Sequence, residues 1–252
     1  MSKDFGYFGN NGNLLKFNLS DGQLSPFADG RPNAQAPVGR GLAALDAATL
    51  VSANGAEKIF LIDAATGKQK GEVTVPVPIA GGLAVDAKGT LYAISNKAVG
   101  RVDLKAGTFT LVAKDLDEPQ MLACDASGNV YVSLQGSTMQ VWKLDTAGKA
   151  LLRFGKAGGR PALGQFDAAG MLMPYAIAVD KNNRLWVCED DPLPKRYSLW
   201  NADTGRLAAR FAGEASFVVQ ATPPRPHTAF APLRPPGAVR RVRLPPACSG
   251  LG

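Results

Sequence analysis

The feature that most constrains this chain is a repeat. Four segments share one pattern: Ala43-Ala-Leu-Asp46, Leu83-Ala-Val-Asp86, Leu122-Ala-Cys-Asp125 and Ile177-Ala-Val-Asp180, with their aspartates 40, 39 and 55 residues apart. A second landmark follows each at Asp63, Asp103, Asp145 and Asn201, and a turn glycine follows at Gly67, Gly107, Gly148 and Gly205. Three markers in one register define a unit of about 40 residues. The longer third interval is filled by a Gly-rich stretch between Leu152 and Met173, which reads as an enlarged loop.

Within a unit the local chemistry is β throughout. Asp86-Ala-Lys-Gly89 and Asp125-Ala-Ser-Gly128 are turn sequences: the short carboxylate accepts a backbone N–H two residues on, and glycine tolerates positive φ. They join an inner strand to Leu91-Tyr-Ala-Ile-Ser95, Val130-Tyr-Val-Ser-Leu134 or Leu185-Trp-Val-Cys188, which are apolar on both faces. Such strands need cover on both sides. Third strands such as Lys58–Asp63 reach the turn glycine, and fourth strands such as Gly107–Val112 end the unit. The expectation is an all-β β-propeller of four-stranded blades, a radial arrangement that leaves only short sheet edges. A sandwich does not predict this period, and no helix-period segment competes.

The units resemble NHL-repeat propellers. The best match is Phe154-Gly-Lys-Ala-Gly-Gly-Arg-Pro-Ala-Leu-Gly-Gln-Phe166, then Pro174-Tyr-Ala-Ile-Ala-Val-Asp180, Arg184-Leu-Trp-Val187 and Lys195-Arg-Tyr-Ser-Leu-Trp200. This is similar to the family's Gly-rich loop ending in Gly-Gln-Phe, its Pro-x-Gly-Ile-Ala-Val-Asp inner strand and its outer segment. Ala176 stands where the family prefers glycine. Weaker copies run from 41 to 155. The corners Asp63 to Gly67 and Asn201 to Gly205 also resemble those of quinoprotein propellers, whose tryptophan docking pattern is absent. The resemblance places the chain in the six-bladed NHL and gluconolactonase-like superfamily, apparently truncated.

The blades are one partial, 4–29, and four full, about 41–80, 81–118, 119–173 and 174–213. In the partial blade, Gly6–Gly9, Asn13–Asn18 and Gly22–Phe27 align with strands two, three and four, and the inner strand is missing. Closing a ring would take that strand from the C-terminus, but residues 214–252 hold 8 of the 18 prolines and replace the repeat with Pro, Arg and Ala. Prolines at that density exclude a continuing sheet. The expectation there is a disordered or non-natively folded tail, and a longer parent protein. Of the 28 basic and 21 acidic residues, five and one fall in the tail, leaving 23 against 20 on the blades, a weak footprint for a nucleic-acid partner. No apolar run approaches a membrane span and Met1 to Gly12 lacks a signal peptide's apolar core, so the localisation is not specified.

The densest polar site is Glu189-Asp-Asp-Pro-Leu-Pro-Lys-Arg196. Its carboxylates Glu189, Asp190 and Asp191 are the candidates for general acid and base, and Glu189 with Asp191 for Ca²⁺, because alternate side chains of an extended segment converge. One loop cannot complete a six-ligand shell, and the alternative is local pairing with Lys195 and Arg196. Gluconolactonase-like enzymes are not matched in their Pro-Asn-Gly segments, and the zinc of NHL-type amidating lyases needs histidines this chain lacks, since its one histidine, His227, lies in the tail. Asp46, Asp86, Asp125 and Asp180 are explained by their turns, and Cys124 and Cys188 read as small core residues. The candidate binding surface is Lys156, Arg160, Tyr175, Lys195 and Arg196, with Phe166 and Trp186 nearby in sequence.

The expected function is a non-catalytic binding or scaffold module without a cofactor, its partner an unidentified protein or small molecule. A lactonase-like or sugar-acting hydrolase using a divalent cation is the alternative, and single-stranded RNA binding a second.

Overall fold

The computed structural model describes residues 4–10, 12–161, 167–190 and 195–213. Within them every element is a strand. The first sheet holds β1 (Phe5–Asn10), β2 (Asn13–Asn18) and β3 (Asn33–Gln35), in that order. The second holds β4 (Gly41–Ala44), β5 (Thr49–Ala53), β6 (Lys58–Asp63) and β7 (Gln69–Thr74); the third, β8 (Leu83–Val85), β9 (Leu91–Ser95), β10 (Ala98–Asp103) and β11 (Thr108–Ala113). The fourth holds β12 (Pro119–Cys124), β13 (Val130–Leu134), β14 (Gln140–Leu144) and β15 (Ala150–Phe154), and the fifth β16 (Pro174–Val179), β17 (Arg184–Glu189), β18 (Lys195–Asn201) and β19 (Leu207–Gly213). Strands follow chain order and pair antiparallel, and the first strands β4, β8, β12 and β16 lie side by side. This is a β-propeller of five blades, four of them four-stranded. None of its elements is a helix long and apolar enough to cross a membrane.

Core packing repeats from sheet to sheet. The second, third and fourth sheets turn second- and third-strand residues toward the next sheet, among them Val51 and Ile59, Tyr92 and Val99, and Tyr131 and Val141, none more than 1% exposed. Opposite faces look back, with Leu185, Val187 and Trp200 of the fifth sheet meeting Tyr131, Val141 and Phe154 of the fourth. The Tyr131 and Phe154 rings lie 5.8 Å apart. Since both faces are covered, strands β5, β9 and β13 are buried along their whole length, which is why they read as unbroken apolar runs rather than alternating ones.

Two details depart from the sequence reading. In the first blade, the fourth strand is not Gly22–Phe27: only Leu24 bridges Phe17, while Asn33–Gln35 pairs with Asn13–Leu15. The Asp21 carboxylate accepts the Gln23 amide, Pro26 offers no donor, and Phe27 leaves the edge to bury itself, 3% exposed, among Ala34 and Ile62. In the second blade, Asp46 is not equivalent to the other three repeat aspartates. Its motif is slipped by one residue: Leu45 N–H closes on the Thr49 carbonyl as Asp86 N–H does on that of Thr90, so Asp46 lies one place further into the turn, and Leu42 and Ala44 pack toward the first sheet while Ala43 packs toward the third.

Candidate functional site

Antiparallel order puts the inter-sheet loops and the second-to-third-strand connections at one end of the propeller. Five of the six described non-glycine residues with positive φ lie there: Asn96, Asp115, Glu118, Met139 and Met173, at 46 to 58°. Glu118 and Met173 each precede the proline that opens a first strand, and a register shift follows within β12 and β16. Left-handed backbone at bulky residues is costly and collects where a surface is shaped for use.

Most of the sequence candidates fall at this end. Glu189, the last residue of β17, has a side chain with no exposure at all, at a position occupied in the fourth sheet by fully buried Leu134. Arg160 donates from Nε and Nη2 to Glu189 Oε2 at 3.1 and 2.9 Å. Arg196 donates from Nε to Oε1 at 2.5 Å, and its Nη2 also pairs with Oε1. The same guanidinium donates to the Ala168 and Gly170 carbonyls at 3.1 and 2.6 Å, tying β18 to the enlarged loop. That loop is held at its base by Lys156 N–H on the Ala169 carbonyl at 2.8 Å and by Gln140 on the Gly155 carbonyl at 2.8 Å.

Burial pushes the Glu189 carboxyl above its ordinary value, while the Arg196 and Arg160 charges and hydrogen bonds pull it down. Burial lowers Arg196, against the pull of Glu189. Both carboxylate oxygens face guanidinium donors, so a cation placed on them would also face two positive charges. Arg160 and Arg196, 5% and 2% exposed, are therefore removed from the basic surface expected of them: a buried carboxylate draws both inward.

The remaining candidates stay dispersed. Lys156 is exposed and pairs with Asp167 at 3.1 Å. Tyr175 is half-buried on β16; its carbonyl accepts from the Ser133 hydroxyl at 2.8 Å, and burial raises its phenol while the charge of Arg40 lowers it. Arg40, exposed at the entry to β4, is the residue at this end that sequence reading missed, since it lies 135 positions from Tyr175 and outside every motif. Asp190 is exposed, its amide donating to the Met173 carbonyl at 2.8 Å. Lys195 opens β18, and Asp191 and Phe166 lie outside the described residues. Among the described residues no three His, Cys, Asp or Glu side chains cluster as metal ligands.

The repeat aspartates work in their turns. Asp86, Asp125 and Asp180 each accept amides two and four residues on, at 2.8 to 3.1 Å. Asp180 Oδ2 also takes Arg184 Nε at 2.8 Å and Trp186 Nε1 at 3.0 Å, and the more deeply buried Asp125 Oδ2 takes Asn129 Nδ2 at 2.8 Å, Tyr131 OH at 3.2 Å and Lys143 Nζ at 3.2 Å. Lys143 also donates to the Ala202 carbonyl in the β18–β19 turn of the fifth blade at 3.3 Å, which makes this cluster an inter-blade fastening. Burial pushes the Cys124 thiol up, against thiolate chemistry.

No protein-family model matches the chain, and no curated protein matches it. Solved structures do match. Hydrazine synthase of Kuenenia stuttgartiensis is 19% identical with a TM-score of 0.54, over 71% of this chain and 50% of that one. A protein of unknown function from Bacteroides caccae is 13% identical with a TM-score of 0.54, over 83% and 73%. The chain thus spans half the length of the first. At these identities the likeness shows the fold.

Proposed function

We infer that the chain is an NHL-like propeller working as a non-catalytic binding or scaffold module, engaging a protein or small-molecule partner at its loop-bearing end. The observation that carries this reading is the Arg160–Glu189–Arg196 cluster: the acid best placed for chemistry is buried between two guanidiniums and fastens a loop. The strained backbone at Glu118 and Met173 supports that end as the engaged surface. The NHL assignment rests on the loop and strand motifs from Phe154 to Trp200.

Calorimetric titration with Ca²⁺ tests it against the hydrolase alternative. The expected result is no micromolar site; one that Asp190→Ala or Asp191→Ala abolishes would overturn the reading. Once a ligand is in hand, cross-links are expected on Arg40 and Tyr175, and contacts confined to the turns of the opposite end would refute the placement.

A further inference from the structure

We propose that Arg40 and Tyr175 hold the carboxylate of a small organic acid at the mouth of the propeller axis, a site that rests on the reading of the loop-bearing end as the engaged surface. The ladders align the four first strands there. Leu42, Leu83, Leu122 and Ile177 pair with Ser52, Ala93, Val132 and Val187 of the second strands. Two residues before them stand Arg40, Gly81, Gln120 and Tyr175, so these four share one level of the axis. The backbone at this level is fastened from blade to blade. A Cβ on Gly41 would meet the Gly81 carbonyl oxygen at 2.8 Å, the Gly82 N–H donates to the Gln120 carbonyl at 2.8 Å, and the Ser133 hydroxyl donates to the Tyr175 carbonyl at 2.8 Å. The Ser52 hydroxyl donates to the Gly41 carbonyl at 2.8 Å, and both serines are fully buried. A rim held in this way loses little freedom when a ligand binds.

The side chains at the two ends of this arc are unsatisfied. Among the described residues exposed Arg40 has no hydrogen bond or ion pair, whereas Arg31, Arg160, Arg184 and Arg196 each pair with a carboxylate. Tyr175 packs its ring against the core between the fourth and fifth sheets, and its hydroxyl has no partner among the described residues. The Arg40 charge reaches this phenol and lowers it, but burial raises it by more, so the hydroxyl remains a donor at neutral pH. A planar guanidinium fork beside an O–H suits the two oxygens of a carboxylate. Charge then selects among anions. The Asp190 carboxylate also acts on the phenol, raising it, so a ligand here meets one guanidinium and one carboxylate. A monoanion is held by the first, while a dianionic phosphate is more strongly opposed by the second.

The test is titration of the isotope-labelled full chain with benzoate to about 20 mM, read by backbone amide shifts, since a ligand of this size is expected to bind with a constant on the order of 1 mM. Shifts are expected to centre on Gly41, Gly81, Gln120 and Tyr175. Arg40→Gln, at an exposed position, and Tyr175→Phe, which keeps the packed ring, are each expected to weaken binding by about 10-fold or more. Lys88→Gln, in an exposed turn of the opposite end, is expected to leave it unchanged, and benzamide, the uncharged counterpart, to produce no shifts. An absence of shifts with benzoate, or shifts at this end that Arg40→Gln does not diminish, overturns the site while leaving the loop-bearing end as the engaged surface. Shifts with benzamide or inorganic phosphate as strong as those with benzoate overturn the carboxylate assignment. Shifts confined to the Asp86, Asp125 and Asp180 turns overturn the site and the reading of that end together.

Discussion

At the scale of the residue, Glu189 shows how burial reassigns a charge. In sequence it heads three acids and suggests a site; in the fold it ends a strand at a core position, and its partners come from 29 residues upstream and 7 downstream. Glu189→Ala is expected to cost about 3–5 kcal/mol, by leaving two buried guanidiniums without a counter-charge. Glu189→Gln, which keeps the shape, is expected to cost less, both read from urea midpoints; a stable Glu189→Ala protein would contradict the structural role. Asp125 carries a pH signature. Burial raises its carboxyl, but the hydrogen bonds of Asn129 and the charge of Lys143 prevail and hold it below the ordinary value. Its contribution to stability is therefore present above the unfolded pKa of about 3.9 and is lost as pH falls through the lower folded value. The melting temperature is expected to decline as pH drops below about 4, and Asp125→Asn to shrink that decline while lowering the melting temperature at pH 7. The aspartate turns were legible because their chemistry is local, as was the pairing of the acidic segment with Arg196, whereas the part of Arg160 in the cluster was not, because no spacing rule joins it to Glu189.

At the scale of the element, the turn glycines do two things at once. Gly148 has φ of +86°, and a Cβ there would collide with the Val112 carbonyl oxygen of the third sheet. Gly89 has φ of +84° in the repeat's other turn, but nothing lies within 4 Å of where its Cβ would be. Gly148→Ala is therefore expected to lower stability by about 3 kcal/mol or more and Gly89→Ala by about 1 kcal/mol; equal losses in thermal melts would show that only the dihedral matters. Most strands were readable from turn chemistry and apolar runs. β3 was not, because Phe27 leaves the edge to pack on Ala34, a preference of the assembled core that the local sequence does not display. The slip in the second sheet has a similar origin: the Asp46 motif looks like its three relatives, yet its aspartate sits one place further into a turn of the same length, which changes which residues face which neighbour.

At the scale of the whole molecule, the repeat period was enough to announce a propeller, since three markers at one spacing leave few architectures. The surfaces of the terminal sheets were not legible, as exposure depends on what sits opposite rather than on the strand's own residues. The excess of basic residues sits mostly outside the blades, which argues against a phosphate-driven partner; any RNA complex that did form would weaken steeply with salt. Among the described residues the extensive contacts between sheets join consecutive ones, so the array behaves as a line of coupled units. Optical measurements on it will be lopsided. The chain has three tryptophans, Trp142, Trp186 and Trp200, and all of them lie in the last two sheets. Leu14→Ala, deep in the first core cluster, is expected to shift the far-UV dichroism transition to lower urea while tryptophan emission holds its midpoint. Intrinsic fluorescence therefore watches one end of this protein, and fraying at the other end is dark to it.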